Sequence, residues 1–386
     1  MNSKSSILLL LLALQVSLIG CAGNPTDSLI VPKSTYAYVA GAESQASKAV
    51  TITGYLINAD TGALSTLTGP TTTLPDGLIK MLSSAQPAGA FLFTLSSDGI
   101  NSNVRSFKVK AGTGVLAPVQ EIILRNTEGS GLPILAIHPS GKFLYAQRSD
   151  FRNNRLCVVA YRIDPYTGNL TERSCSAGEL QTLVFAPPGD FAYGNANDGA
   201  LGGYIVNQDD GSLTSLEGAI PDTTVSALAS DPRGLALYTL RLDYYGCALL
   251  ESWTINSQSG SLIFAGSIPQ TNLGPSCTPG YTIFTPSGDF AYLYYTPGHY
   301  PHYANESFAL SVDRTTGNLT VIGAAGGSGL PAIEPSHGKL MISINSYQGL
   351  VSQFIDPQTG ILSQTVSTIP LPQPSPDALI VVAPAK

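Results

Sequence analysis

The chain has 386 residues, only 12% of them charged, with a formal net charge of −7. That balance excludes a nucleic-acid partner, because neutralising phosphates requires a basic face. Gly (39) and Pro (27) are abundant and no segment sustains a 3.6-residue apolar period, which excludes a helical bundle and points to an all-β chain rich in turns.

The first element is a leader. Lys4 supplies a positive start, and Ile7 to Ile19 form an apolar run interrupted only by Gln15 and Ser17. A bilayer core of about 30 Å needs about 20 apolar residues. The run is too short to span it and has the length of a signal-peptide core. It ends in Leu18-Ile19-Gly20-Cys21, which resembles a bacterial lipobox. In such signals the cysteine is acylated and becomes the new N-terminus. The expected organisation is a signal peptide over 1–20, a lipidated tether over 21–34 beginning at Cys21, and a folded domain over 35–386. Acylated Cys21 makes the lipid bilayer a partner, since each buried CH₂ adds about 0.8 kcal/mol. Ala22, rather than Asp, follows it, which by the same resemblance places the protein in the bacterial cell envelope at the outer membrane. The tether reaches at most about 45 Å.

The remaining length, about 350 residues, exceeds one compact core and calls for two domains or a repeat. A repeat is present. A polar turn, Gly, any residue and Leu recur seven times, with turn glycines Gly62, Gly114, Gly168, Gly211, Gly260, Gly317 and Gly360. A second signature, Pro, one or two residues, Gly and an apolar-aromatic strand, is expected before each of these turns. Pro139-Ser140-Gly141 before Phe143-Leu144-Tyr145 and Pro286-Ser287-Gly288 before Phe290-Ala291-Tyr292 are examples. Each unit therefore reads as strand A, a Pro-Gly turn, strand B, a variable loop, strand C, the Gly-x-Leu turn and strand D. Four antiparallel strands at this period make a propeller blade. The first unit lacks a strand A, and Ala378 to Pro384 (ALIVVAP) reads like one. The expected fold is an all-β, seven-bladed β-propeller of four-stranded antiparallel blades, closed by the C-terminal strand joining blade 1.

These units resemble the lactonase family of seven-bladed propellers, which includes 6-phosphogluconolactonases. The motifs that carry the resemblance are HPSGKFLY at His138–Tyr145 and DPYTGNL at Asp164–Leu170. The resemblance implies a lactone hydrolase scaffold. The family's polar set departs here. Ser130-Gly131-Leu132-Pro133 enters blade 3 where the family carries histidine. Gln181-Thr182 enters blade 4 in place of an Arg-His pair, and Asn197 stands where the family has Glu. Arg241 falls near a family arginine. A lactonase needs a base for water and a cation or donor set for the oxyanion.

In a propeller the B–C and D–A loops share one face, where ligands bind at the channel mouth. The catalytic candidates on that face are Arg148, Arg241, Asp243 and His299. Asp150, Asn197, Tyr244, Tyr245, Tyr300 and His302 complete the expected ligand face. His299 and His302 lie in the longest B–C loop, among tyrosines. A spacing of three without an acidic or cysteine partner reads as a recognition loop rather than a metal site. His138 and His337 read as A–B turn residues. Cys157 and Cys175 lie symmetrically about the turn at Tyr166–Thr167, and Cys247 and Cys277 remain as a second pair. Export permits two bridges; four reduced, buried thiols are the alternative. No cofactor or metal is implied. The expected protein is a monomeric, membrane-anchored binding or scaffold module for a small polar ligand or an envelope protein. A lactone hydrolase is the alternative.

Overall fold

A computed structural model of the protein describes residues 34–42, 49–86, 89–125, 134–150, 155–176, 178–218, 220–221, 223–242, 248–269, 281–294, 307–325, 330–345, 348–372 and 375–382. Cys21, Asp243, Tyr244, Tyr245, Cys247, Cys277, His299, Tyr300 and His302 lie outside these residues. Among the described residues, no helix is long and apolar enough to cross a membrane.

The described strands form seven antiparallel sheets. Blade 1 contains β1 (Thr35–Ala42), β2 (Val50–Ile57), β3 (Leu64–Thr66) and β4 (Thr72–Leu74). Blade 2 contains β5 (Gly77–Gln86), β6 (Gly89–Ser97), β7 (Asn101–Val109) and β8 (Leu116–Arg125). Blade 3 contains β9 (Leu135–Ile137), β10 (Phe143–Asp150), β11 (Arg155–Ile163) and β12 (Leu170–Ser176). Blade 4 contains β13 (Thr182–Ala186), β14 (Phe191–Asn195), β15 (Leu201–Val206) and β16 (Leu213–Ser215). Blade 5 contains β17 (Ala227–Ser230), β18 (Ala236–Leu242), β19 (Ala248–Ile255) and β20 (Leu262–Pro269). Blade 6 contains β21 (Tyr281–Phe284), β22 (Phe290–Tyr294), β23 (Ser307–Val312) and β24 (Leu319–Ala324). Blade 7 contains β25 (Pro331–Ile333), β26 (Leu340–Asn345), β27 (Gly349–Phe354) and β28 (Ser367–Ile369). The last strand, β29 (Ser375–Val382), returns to blade 1.

The closure expected from the C-terminal motif is present. β29 pairs antiparallel with β1, with Tyr36 opposite Val382 and Ala40 opposite Ala378. Adjacent innermost strands then touch in the order β29, β5, β9, β13, β17, β21, β25 and back to β29. The wheel is a seven-bladed propeller.

One apolar cluster fills each blade–blade interface. Strand B supplies both sides because its side chains alternate. Phe143 and Tyr145 pack toward blade 4, while Leu144 and Ala146 pack toward blade 2.

The two sequence signatures meet on one face. The C–D turn of each blade sits on the start of strand B in the blade before it. The Tyr145 hydroxyl donates to the Gly211 carbonyl at 2.9 Å, Tyr193 to Gly260 at 2.8 Å and Tyr238 to Gly317 at 2.8 Å. Tyr38 donates to Gly114 and Tyr292 to Gly360, both at 2.6 Å. Burial raises the phenol pKa of all five well above its ordinary value. They therefore remain hydrogen-bond donors at any working pH. Blade 7 reaches blade 1 through Ser352, whose hydroxyl donates to Gly62 at 2.6 Å. The polar residue opening each turn has its own task. The Asp164 carboxylate accepts from the backbone N–H groups of Tyr166 and Thr167, which lowers its pKa, and Asp313 and Asp356 repeat the arrangement.

A second, inner set of ties links A–B turns. Gln86 donates to the Gly141 carbonyl at 2.6 Å, and His138 Nε2 lies 2.9 Å from the Gly189 carbonyl. His138 is thus a turn residue, as expected, but a buried one that couples blade 3 to blade 4.

Two outer strands depart from the repeat. Blade 1 splits its outer strand into β3 and β4 around Gly69-Pro70, where the proline ring removes a ladder donor. In blade 7 the Gly360-x-Leu362 turn leads only to an isolated bridge, Ile355 to Leu362, before β28.

The tie between blades 5 and 6 tests this construction. Gly317 has φ +74°, and a Cβ there would stand 2.4 Å from the Ala236 Cβ. Gly317→Ala is expected to cost about 2 kcal/mol or more, through strain at positive φ and overpacking. Tyr238→Phe, which removes the hydroxyl alone, is expected to cost about 1 kcal/mol. Urea unfolding of both variants checks the order.

Candidate functional site

The B–C and D–A connections share the face opposite these ties, so ligand chemistry has to be sought where the B strands end and the A strands begin. Three clusters of charged side chains occupy that region among the described residues. Each sits on the side of its blade that faces the preceding blade.

The most buried cluster lies in blade 2. Asp76, just before β5, accepts at Oδ2 from Arg105 at 2.7 Å, from Asn103 at 2.8 Å and from Ser96 at 3.4 Å. Arg105 also contacts Glu121 at 2.6 Å and donates to Ser96 at 2.6 Å. The Asp76 and Arg105 side chains are each only 12% exposed. The split outer strand of blade 1 leaves a cleft of about 540 Å³ beside them, bounded by Thr72 to Leu74, Phe107 and Pro118. Sequence reasoning missed this cluster. Its one local signal is an acid directly before the glycine that opens a strand A.

Arg148, a sequence candidate, ends strand B of blade 3. Its guanidinium is held by Glu172 of the same blade at 2.5 Å. Burial and then Glu172 push the Tyr161 phenol up to about 12, while Arg148 pulls it down. Asp150 closes the same strand opposite Arg155, and its side chain lies outside the described residues.

Arg241 occupies the equivalent position in blade 5. Its guanidinium meets Glu251 at 2.9 Å, and Glu251 also accepts from Thr239 at 3.2 Å. Glu251 is 6% exposed and Arg241 is 40% exposed. A buried carboxylate therefore holds an arginine whose outer edge meets solvent.

Blade 4 presents amides instead of charges. Buried Asn195 donates to the Val225 carbonyl at 3.2 Å and accepts from Thr182. Exposed Asn197 donates to Glu179, and its carbonyl accepts from Gln181 at 3.3 Å. Gln181 is thus bonded to Asn197 and Thr182 to Asn195, and none of these side chains is a base.

Cys157 and Cys175 form a disulfide with Cα atoms 5.6 Å apart. They are not direct cross-strand partners. A bulge at Ala160/Tyr161 shifts the register, so that Cys175 opposes Val159 and the bridge runs diagonally. Bulges recur between strands C and D in blades 2, 5 and 6. A bridge of this span contributes on the order of 3 kcal/mol if unstrained.

His337 lies on the turn face, exposed, 3.8 Å from buried Glu334. It borders a larger groove of about 820 Å³ with Asp289, Lys339 and Asp356 over an apolar floor of Phe290, Ile355 and Leu362. That groove stands on the wrong side of the wheel for the loop-face candidates. Among the described residues, no three His, Cys, Asp or Glu side chains gather as a metal site.

Neither a family model nor a curated protein matches the chain. Solved structures do. A candidate 6-phosphogluconolactonase from Bacteroides uniformis superposes with a TM-score of 0.66 at 14% identity, covering 91% of this chain and all of the other. A second from Bacteroides fragilis gives 0.63 at 17% identity, covering 92% and 99%. The periplasmic gluconolactonase of Pseudomonas aeruginosa gives 0.65 at 16% identity, covering 91% and 99%.

Burial separates the three ion pairs energetically. Asp76→Ala leaves Arg105 and Asn103 without their shared acceptor and is expected to cost about 2–4 kcal/mol. Arg148→Ala, at a more exposed pair, is expected to cost about 1 kcal/mol or less. Chemical denaturation of the two variants checks this difference. At these identities the likeness is one of architecture: the chain shares the seven-bladed, lactonase-like propeller fold of these structures.

Proposed function

We propose that the protein is a lipid-anchored lipoprotein of the bacterial envelope whose loop face binds a small polar ligand. The observation that carries this reading is the pairing of charge. Arg105, Arg148 and Arg241 are each held by a carboxylate of their own blade. A lactone hydrolase needs a cation or donor set free to meet a developing oxyanion, and a base near it. Arginines already neutralised serve better as oriented hydrogen-bond donors, and pre-ordering such donors lowers the cost of binding. Arg241 is the leading contact residue, because buried Glu251 fixes it while part of its side chain meets solvent. Hydrolysis of a sugar-derived lactone is the second reading, and the fold likeness to a gluconolactonase favours it.

The test is a lactone panel on the purified propeller. It compares the natural sequence with the double variant Arg241→Ala/Glu251→Gln, whose second change avoids leaving a buried carboxylate unpaired. The binding reading expects saturable retention of a polar lactone or sugar acid, lost in the variant, with turnover no faster than in buffer. Turnover by the natural sequence that disappears in the variant would overturn it.

The anchor is tested separately. In a bacterial host supplied with labelled palmitate, the full chain is expected to take up label and sediment with membranes, and Cys21→Ser is expected to do neither.

A further inference from the structure

Lys80 stands apart from every pair described above. It is the fourth residue of β5, the innermost strand of blade 2. Its neighbours fill both flanks of that strand. Leu78 and Met81 pack into the apolar cluster shared with blade 1, and Ile79 and Leu82 into the one shared with blade 3. A bulge between Leu78 and Lys80 breaks this alternation. Lys80 belongs to neither cluster and is exposed. The solvent beside the middle of an innermost strand, with packed blades on both sides, is the solvent of the central channel. Three residues at about 3.3 Å each set Lys80 roughly 10 Å below the loop-face end of the strand.

The described strands around it carry little charge. The seven innermost strands contribute one cation, Lys80, and one acid, Asp377 of β29. Asp377 occupies the corresponding bulge of the neighbouring strand, and its side chain lies outside the described residues. Among the described residues, no carboxylate pairs with Lys80. The surrounding protein withdraws water from the ammonium enough to lower its pKa. A site that water reaches but does not fully solvate penalises a lone cation and rewards an anion that joins it.

We propose that the central channel binds a small oxyanion, a carboxylate or phosphate group, with the Lys80 ammonium as its counter-ion. The proposal deepens the reading of the loop face as a binding face and rests on it for the direction of approach. A sugar acid or sugar phosphate would place its anionic end on Lys80 and its hydroxyls toward the loop-face donors.

The experiment uses inorganic phosphate as the probe. The lysines of the purified propeller are reductively methylated with carbon-13 formaldehyde, and the Lys80 signal is assigned by its absence in Lys80→Arg. Phosphate is expected to shift the Lys80 resonance saturably at pH 8, while the other lysine signals move little and sodium chloride at equal ionic strength has no such effect. A matching thermal unfolding series on unmethylated protein is expected to show phosphate raising Tm in the natural sequence and not in Lys80→Met. An absent shift, a shift shared by all lysines, or an equal Tm rise in Lys80→Met would overturn the proposal. Full saturation at Lys80 alongside loss of no ligand in the Arg241 variant would keep the channel site and sink the loop-face reading.

Discussion

The wheel depends on one repeated contact, the meeting of a strand-B side chain with the turn glycine of the next blade. Apolar burial stabilises every interface, but it is non-directional and would tolerate one blade sliding on another. The tyrosine hydroxyl and the glycine carbonyl fix both height and angle. Glycine is needed there for two reasons at once: the backbone is left-handed, and the neighbouring strand leaves no room for a Cβ. Where tyrosine is absent, the position is still filled. Blade 2 has Phe93 in its place and relies on other ties to blade 3. Gln86 bonds Gly141, and Gln120 exchanges hydrogen bonds with the backbone of Leu170. Blade 7 uses the Ser352 hydroxyl of strand C instead. Both the chemistry of the tie and the strand that supplies it vary, while neighbouring blades stay hydrogen-bonded to one another.

This constraint divides the two faces. A–B and C–D turns are occupied in holding blades together, so their sequences repeat. B–C and D–A connections differ in length and content from blade to blade. The signatures that identify the fold therefore describe the face that is least free to acquire a ligand. The residues that could bind one belong to the face without a signature.

That division explains what the sequence made legible. Seven Gly-x-Leu turns, the Pro-Gly turns and the ALIVVAP strand were enough to place the blades and close the ring, because each is a local pattern. The partnership between Tyr145 and Gly211 was not legible, since 66 residues separate them and each already had a sufficient local explanation as strand or turn. His138 likewise looked complete as a turn residue. The cysteine pair was found by symmetry about its turn, and the bulge that makes the bridge diagonal left no mark on the spacing. The Asp76–Arg105 cluster was invisible for a different reason. Alternation says which way a side chain points, but not which charged group of another strand it meets.

Among the described residues, buried charge on the loop side follows one rule. Burying an ion is costly unless a partner of opposite sign and further hydrogen bonds accompany it. Asp76 meets that condition with three donors, and Glu251 with Arg241 and Thr239. Such pairs bring little net stability compared with apolar packing of the same volume. Their retention at equivalent heights in blades 2, 3 and 5 is better explained by what they hold in place. A guanidinium locked to a carboxylate keeps its remaining donors in fixed directions at the seam between two blades, whatever loop lies above. Lys80, exposed to the channel, falls outside that rule and has no counter-ion among the described residues. A cation kept in that position against its own solvation is understandable when the missing charge arrives with a ligand.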